Sequence, residues 1–151
     1  MEPQLQPPSG TFAGSRHLFP VRVYYEDTDL TGITYHANYL KWCERARSDL
    51  LRLLGIEQRD AVEAGEGHYA VAEANIRWLR PARLDDALVV ETSCTELRAA
   101  SVRLIQRVMR EGDILAELAV RVGFVSSSGR PKRQPARWRA AFDTFFAKDN
   151  P

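Results

Sequence analysis

One short segment of the chain concentrates residue types that can perform acyl transfer. Three carboxylates, a glycine and a histidine follow one another within eleven positions: Glu26, Asp27, Asp29, Gly32 and His36. A carboxylate can attack a carbonyl carbon or activate water. The glycine lets the backbone approach a ligand closely, and an imidazole can orient substrate or water. The same spacing also fits a polar turn in which Asp29 caps backbone amides and His36 starts a helix.

A long helix is predicted directly after this segment, over residues 38–55. Apolar residues recur there at helical spacing, and Gly55 is suited to end the helix. The first amides of a helix have no partner within it, and its dipole favours negative charge at that end. Amides near Ala37 are therefore candidates to bind a carbonyl oxygen as it becomes an oxyanion.

The remaining pattern predicts mostly strands. A strand is expected before the acidic segment, over residues 20–27, and a short helix over 58–64. Four strands and a final helix follow, over residues 68–80, 87–97, 101–110, 114–126 and 136–147. Strands that are segregated from helices indicate an α+β domain. We expect a five-stranded antiparallel sheet with one face covered by the long helix, and an exposed edge that favours dimers.

Length and charge limit the classes of function. The 151 residues suit one domain, and 21 basic against 20 acidic residues leave a net charge of +1. This balance excludes a whole-molecule attraction to nucleic acid or to an anionic membrane. No membrane span and no secretory signal are expected. We predict a flexible tail over residues 1–17, a single domain over 18–148, and a cytoplasmic location with Cys43 and Cys94 reduced.

Other candidate sites are weaker. The three histidines show no spacing typical of a metal site, so we expect no metal. The basic run over residues 130–139 could bind phosphates, an acidic partner surface or nucleic acid, but a solvated face is the commoner explanation.

Longer motifs around the acidic segment resemble a known family. The run from Val21 to Asp29, with Gly32, Tyr35-His36-Ala37, Tyr39 and Glu44-Arg45-Ala46-Arg47, is similar to the hotdog-fold acyl-CoA thioesterases. The branch is the one associated with the Tol-Pal system and related to 4-hydroxybenzoyl-CoA thioesterase. The similarity continues in residues 81–86 and covers roughly residues 18–137.

The resemblance implies a hotdog fold, with the sheet wrapped around the long helix, and assembly into dimers and often tetramers. It also implies hydrolysis of acyl-CoA without a metal or other cofactor. Asp29 corresponds to the essential carboxylate, as nucleophile or general base, and His36 and Tyr25 correspond to its polar partners. The backbone at His36 or Ala37 would polarise the thioester carbonyl.

Further positions carry over from the same resemblance. The backbone at Gly67 and His68 corresponds to an additional oxyanion donor. Gly32 corresponds to the glycine that borders the substrate. The family's basic residues near the turn between its third and fourth strands are reduced here to Arg98, followed by two alanines. Glu44 is either a catalytic carboxylate on the helix or a structural one. Its basic neighbours at helical spacing favour the structural role.

The sequence therefore predicts an acyl-CoA thioesterase that yields a free carboxylate and CoA. A hotdog dehydratase is disfavoured by the Asp-Thr-Asp turn. The alternative from another class is a non-catalytic hotdog protein that binds acyl-CoA or acyl carrier protein. The expected partners are the acyl-CoA substrate and further copies of the chain.

Overall fold

Six strands and three helices follow one another along residues 1–146, the part of the chain that the computed structural model describes. The strands are β1 (Thr11–Ala13), β2 (Arg16–Arg22), β3 (His68–Trp78), β4 (Ala87–Leu97), β5 (Ser101–Arg110) and β6 (Asp113–Val125). The helices are α1 (Asn38–Leu53), α2 (Gln58–Glu63) and α3 (Ala136–Phe146). All strands form one antiparallel sheet in the order β1-β2-β4-β5-β6-β3.

The predicted α+β hotdog architecture is confirmed. Helix α1 buries an apolar stripe that includes Tyr39, Trp42, Cys43, Ala46 and Leu50. The sheet meets it with alternate apolar side chains of its central strands, among them Leu88, Val90, Val102, Leu104, Val108, Leu118 and Val120. The helical spacing and the strand alternation seen in the sequence thus describe the two faces of one core.

The sheet has six strands, so the prediction of five was one short. The additional strand β1 lies within the segment predicted as a flexible tail. A turn at Gly14, whose φ is +62°, connects it to β2. Both thiols are free, as expected: Cys43 is buried and Cys94 is half-buried.

Residues 9–17 are attached to α1 through the carboxylate of Asp49. Its Oδ1 accepts a hydrogen bond from the Ser9 hydroxyl at 2.7 Å, and its Oδ2 accepts one from the Gly10 amide at 2.9 Å. The Nε2 atom of buried His17 lies 2.7 Å from the same Oδ2. These contacts span 32 to 40 residues of sequence, which is why local patterns did not reveal them.

The strand predicted over residues 20–27 lies earlier, at Arg16–Arg22, and residues 25–27 form a single 3₁₀ turn. The other predicted elements match the observed ones to within two residues wherever the structure describes them. The predicted ends of the last helix and of the domain, at residues 147 and 148, lie outside the described residues.

The sheet has two ends, which we name after the residues predicted to act there. At the Asp29 end, β3 finishes at Trp78 and β4 begins at Ala87. Residue Ile33 bridges to Arg83 just before that strand, and this contact fixes the acidic segment there. At the Arg98 end, β3 begins at His68 and the hairpin between β4 and β5 turns through residues 98–100.

Candidate active site

Asp27 holds the acidic segment in place. Its side chain is only 7% exposed. Oδ2 accepts a hydrogen bond from the Tyr24 amide at 2.8 Å, and Oδ1 accepts one from Asn38 Nδ2 at 2.7 Å. Its carbonyl oxygen accepts a bond from the Tyr35 amide at 2.8 Å. One buried carboxylate therefore links the residue before the 3₁₀ turn to the start of α1.

Asp29 faces solvent in the turn that follows. Its Oδ1 accepts hydrogen bonds from the Thr31 amide at 2.8 Å and from the Thr31 hydroxyl at 2.5 Å. These two bonds lower the pKa of Asp29, and the charge of His36 acts in the same direction. The turn closes with the Gly32 amide donating to the Asp29 carbonyl at 3.0 Å, and Gly32 adopts a φ of +83°. The side chain is thus a fixed, ionised carboxylate at neutral pH.

His36 lies at the start of α1 between two aromatic rings. Its ring centroid is 4.6 Å from that of Tyr35 and 5.5 Å from that of Trp78, whose plane is perpendicular to it. Trp78 Nε1 donates a hydrogen bond to the His36 carbonyl oxygen at 3.0 Å. Its contact with His36 spans 42 residues and has no local sequence signal.

An open groove of about 270 Å³ runs beside this histidine and is lined by Thr34, His36, Tyr39 and Trp78, among others. The hydroxyl of buried Thr34 has no hydrogen-bond partner within residues 1–146. A polar group left in this state costs free energy unless water or a ligand bonds to it. Thr34 therefore leaves one buried hydroxyl unpaired in the wall of this groove.

Two amides directly before α1 are also free within the described residues. The Asn38 amide donates to the Tyr35 carbonyl and the Leu40 amide to the Ala37 carbonyl. In the described part of the chain, the amides of His36 and Ala37 have no acceptor. They have the donor character that an oxyanion requires, at the positive end of a sixteen-residue helix.

Tyr25 lies in the 3₁₀ turn with its side chain 83% exposed. Its carbonyl oxygen accepts a bond from the Thr28 hydroxyl at 2.7 Å, while its own hydroxyl has no partner among residues 1–146. Asp29, Gly32, His36, Ala37 and Tyr25 are therefore brought together in one stretch at the Asp29 end.

The other predicted site residues lie at the Arg98 end. Gly67 lies directly before β3 and His68 begins it, and His68 and Trp78 are ten positions apart along the extended strand. At about 3.3 Å per residue, this amounts to roughly 30 Å. A single chain therefore does not bring these residues to Asp29. Gly67 also has a packing reason to be glycine, because a Cβ there would lie 2.3 Å from the Val125 carbonyl oxygen.

Basic side chains gather at the same end. Arg98 is exposed, and its Nε lies 2.7 Å from Glu96 Oε1. Arg137 pairs with Glu66 at 2.8 Å, and Lys132 Nζ donates to the Glu66 carbonyl at 2.6 Å. Arg130 and Arg133 are exposed, with no ion pair in the described residues. The positive charge expected from the sequence is present, but far from Asp29 of the same chain.

Within residues 1–146, no cluster of three or more His, Cys, Asp or Glu side chains is arranged to hold a metal ion. No helix among these residues has the length and apolar character needed to cross a membrane.

Comparisons with known proteins show which proteins this chain resembles. The sequence profile of the thioesterase superfamily matches residues 31–117. The acyl-CoA thioesterase YbgC of Haemophilus influenzae is 41% identical over 125 residues, which cover 82% of this chain and 92% of that protein. Among solved structures, a probable thioesterase from Bartonella henselae has a TM-score of 0.75 at 32% identity and covers 80% of this chain and 99% of that one. A gentisyl-coenzyme A thioesterase has a TM-score of 0.76 at 25% identity, covering 83% and 98%.

Proposed function

The chain belongs to the thioesterase superfamily and is an acyl-CoA thioesterase, and we propose that Asp29 supplies the carboxylate for its reaction. An acyl-CoA and one water give a free carboxylate and the CoA thiol. The observation that carries the assignment is the pairing of an ionised carboxylate at Asp29 with the unpartnered amides of His36 and Ala37 in one short segment.

The amides act on the thioester carbonyl. As a nucleophile adds to the carbonyl carbon, negative charge grows on the oxygen, and donors that already point at it stabilise that charge without reorganisation. Asp29 then takes one of two roles. As general base it accepts a proton from the attacking water. As nucleophile it forms an acyl anhydride and expels CoA thiolate, and water then hydrolyses the anhydride.

His36 and Tyr25 position the reactants in this proposal. The His36 ring is held by Tyr35 and Trp78 beside the groove, and Tyr25 presents a free hydroxyl from the neighbouring turn. Gly32 leaves the approach to Asp29 open, because nothing lies within 4 Å of where its Cβ would be.

We further propose that two copies complete each site. Strand β3 is a long edge strand that pairs only with β6, and it exposes apolar side chains, including Val71 at 51% and Trp78 at 46%. If two copies of β3 pair antiparallel about a two-fold axis, His68 of the partner subunit approaches Trp78. The partner's Gly67 backbone and the partner's Arg98 end then come to the Asp29 end of this chain. This arrangement accounts for the distance between the two groups of predicted residues.

Assembly into a tetramer, association with the Tol-Pal system and a cytoplasmic location belong to the same proposal. Two free thiols and a CoA substrate support a reducing compartment. The residues named here need no cofactor besides the CoA of the substrate. Acyl carrier protein is a second proposed carrier of the acyl group. It would dock on the basic surface at the Arg98 end of this chain.

The first test is hydrolysis by Asp29→Asn, followed as thiol release from acyl-CoA of several chain lengths. We expect a loss of at least about 100-fold in kcat with unchanged far-UV circular dichroism, because the bonds of the Asp29 side chain are confined to Thr31. Near wild-type turnover would refute the role of Asp29. Tight binding of acyl-CoA by the wild type with no thiol release at any length would favour the non-catalytic alternative.

The second test is Ala72→Pro, with Ala72→Val as the matched control. Ala72 lies at the bulge of β3, where the pairing with β6 skips from Val71 to Glu73. A bulge in an edge strand is a position where proline is tolerated, and proline removes one backbone amide from this strand. We expect a monomer with little activity, measured by light scattering and thiol release. A monomer with full activity would refute the shared site.

A further inference from the structure

A partly open cavity of about 160 Å³ lies between the second half of α1 and the sheet. Apolar side chains form most of its wall, including Leu50, Leu104, Val122 and Phe142. An apolar cavity of similar size, about 150 Å³, accommodates one benzene in another protein. This space therefore suits a single ring or an aliphatic chain of about six carbons.

One cation, Arg47, lines the cavity. Its Nη1 donates to Gln106 Oε1 at 2.9 Å, and its other N–H groups have no acceptor within residues 1–146. No carboxylate of these residues forms an ion pair with it, and Glu44, one turn earlier, accepts instead from the Ser48 hydroxyl at 2.7 Å. Burial lowers the pKa of Arg47. Arg47 is half-buried, and its remaining N–H groups are still accessible beside the apolar wall, so they can donate to a ligand that supplies an anion.

Gln106 holds this guanidinium in a fixed place. It is fully buried, and its Nε2 donates to the Cys43 carbonyl at 2.9 Å and to the Thr92 hydroxyl at 3.0 Å. Both amide protons are therefore used, and the carbonyl oxygen is aimed at Arg47. The donor group is oriented before any ligand arrives, which is a property of binding sites rather than of solvated charges.

The cavity also lies where a substrate can reach it. Tyr69 and Val71 border it, one and three residues after His68 on β3. In the dimer proposed above, this part of β3 lies beside Asp29 of the partner subunit. An acyl group whose carbonyl is held there extends along β3 towards Arg47.

We propose that this cavity receives the acyl group, and that Arg47 selects acyl groups of about five or six carbons that end in a carboxylate. The inference rests on the proposed thioesterase site and adds its substrate class. Glu44, at the cavity rim, carries the opposite charge and disfavours a second anionic group, so one terminal carboxylate is the expected number.

The substrate test compares glutaryl-CoA with hexanoyl-CoA, which have similar lengths but differ in the terminal group. We expect wild-type kcat/KM to be about 10- to 100-fold higher for glutaryl-CoA, the usual effect of a charge-assisted hydrogen bond. Equal values, or a preference for hexanoyl-CoA, would overturn the proposal without any variant.

The variant test uses Arg47→Met, which keeps the length of the apolar stem, with the exposed neighbour Arg45→Met as control. Arg47→Met should abolish the preference by lowering kcat/KM for glutaryl-CoA about 10- to 100-fold more than for hexanoyl-CoA, while Arg45→Met should keep the preference. An equal loss for both substrates would show that Arg47 only supports the fold.

A binding measurement separates this inference from the catalytic assignment. Calorimetry on Asp29→Asn should give a Kd for glutaryl-CoA about 10- to 100-fold below that for hexanoyl-CoA, and the double variant Asp29→Asn, Arg47→Met should lose the difference. If wild type releases no thiol but the binding preference is present, the thioesterase site fails and the Arg47 site stands. If thiol is released but neither preference is present, the Arg47 site fails alone.

Discussion

The attachment of residues 9–17 to α1 can be tested by removing the Asp49 carboxylate, whose side chain is only 5% exposed. Asp49→Ala leaves the Gly10 amide and the buried His17 Nε2–H without an acceptor, whereas the exposed Ser9 hydroxyl can turn to water. Two donors left unsatisfied at about 1–3 kcal/mol each predict a loss of about 3 kcal/mol. For a chain of this length, that corresponds to a fall in Tm of about 6–12 °C.

Asp49→Asn is the matched control. With its amide oxygen in the Oδ2 position, asparagine still accepts from Gly10 and His17, and its NH₂ group faces the Ser9 hydroxyl, which can accept. Only the charge is lost, so we expect about 1 kcal/mol, or a Tm lower by 2–4 °C.

The assay is thermal unfolding by circular dichroism at one fixed protein concentration, since association with a second copy would shift Tm. Limited trypsin digestion gives a second readout, because release of this segment exposes the bond after Arg16. If Asp49→Ala unfolds within 1 °C of wild type and Arg16 stays protected, the carboxylate does not hold the N-terminal segment and this account of β1 is wrong.

Two further predictions concern His17 and Trp78. Burial lowers the pKa of His17 below 6.5, although the adjacent Asp49 carboxylate acts in the opposite direction. As pH falls, the His17 side chain therefore takes up a proton at a higher pH in the unfolded chain than in the folded one. The free energy of unfolding should then decrease as pH drops from about 6.5 to the pKa of His17 in the folded chain. Urea unfolding from pH 8 to 5 should show this slope in wild type and a smaller one in His17→Gln; equal slopes would contradict it. Trp78→Phe removes the hydrogen bond to the His36 carbonyl at 3.0 Å while keeping a ring beside the imidazole. We expect kcat/KM to fall about 10-fold with Tm changed by less than 3 °C, and unchanged kinetics would show that this bond does not position the site.

The elements that were predicted well owe their form to nearby residues. The apolar stripe of α1 and the alternation in β4 and β5 are periodic, so their bounds follow from the sequence itself. Strand β1 has no such pattern over its three residues and depends on Asp49, which is remote in sequence.

The sequence predicted which residues belong to the candidate site, but not how the fold positions them. The motif placed Asp29 and His36 in one segment, yet spacing did not distinguish Asp29 from Asp27, which differ in burial because only Asp27 meets Asn38. Nor did it show that Gly67 and Arg98 lie at the other end of the sheet, because that depends on strand direction in the assembled fold. Arg47 was noted only as part of a motif and as a helical neighbour of Glu44, since its contact with Gln106 spans 59 residues.

The amides proposed to bind the oxyanion lie at the start of α1, near Ala37, and the Asp49 carboxylate lies twelve residues later, about 18 Å along one axis. A helix is stiff along its axis, so any sliding at Asp49 moves Ala37 by the same amount. The N-terminal segment therefore sets the axial position of these proposed donors, although it touches none of them. If the donors act as proposed, a displacement of 1 Å would be enough to impair catalysis, and residues 9–17 would help to keep the reaction centre aligned.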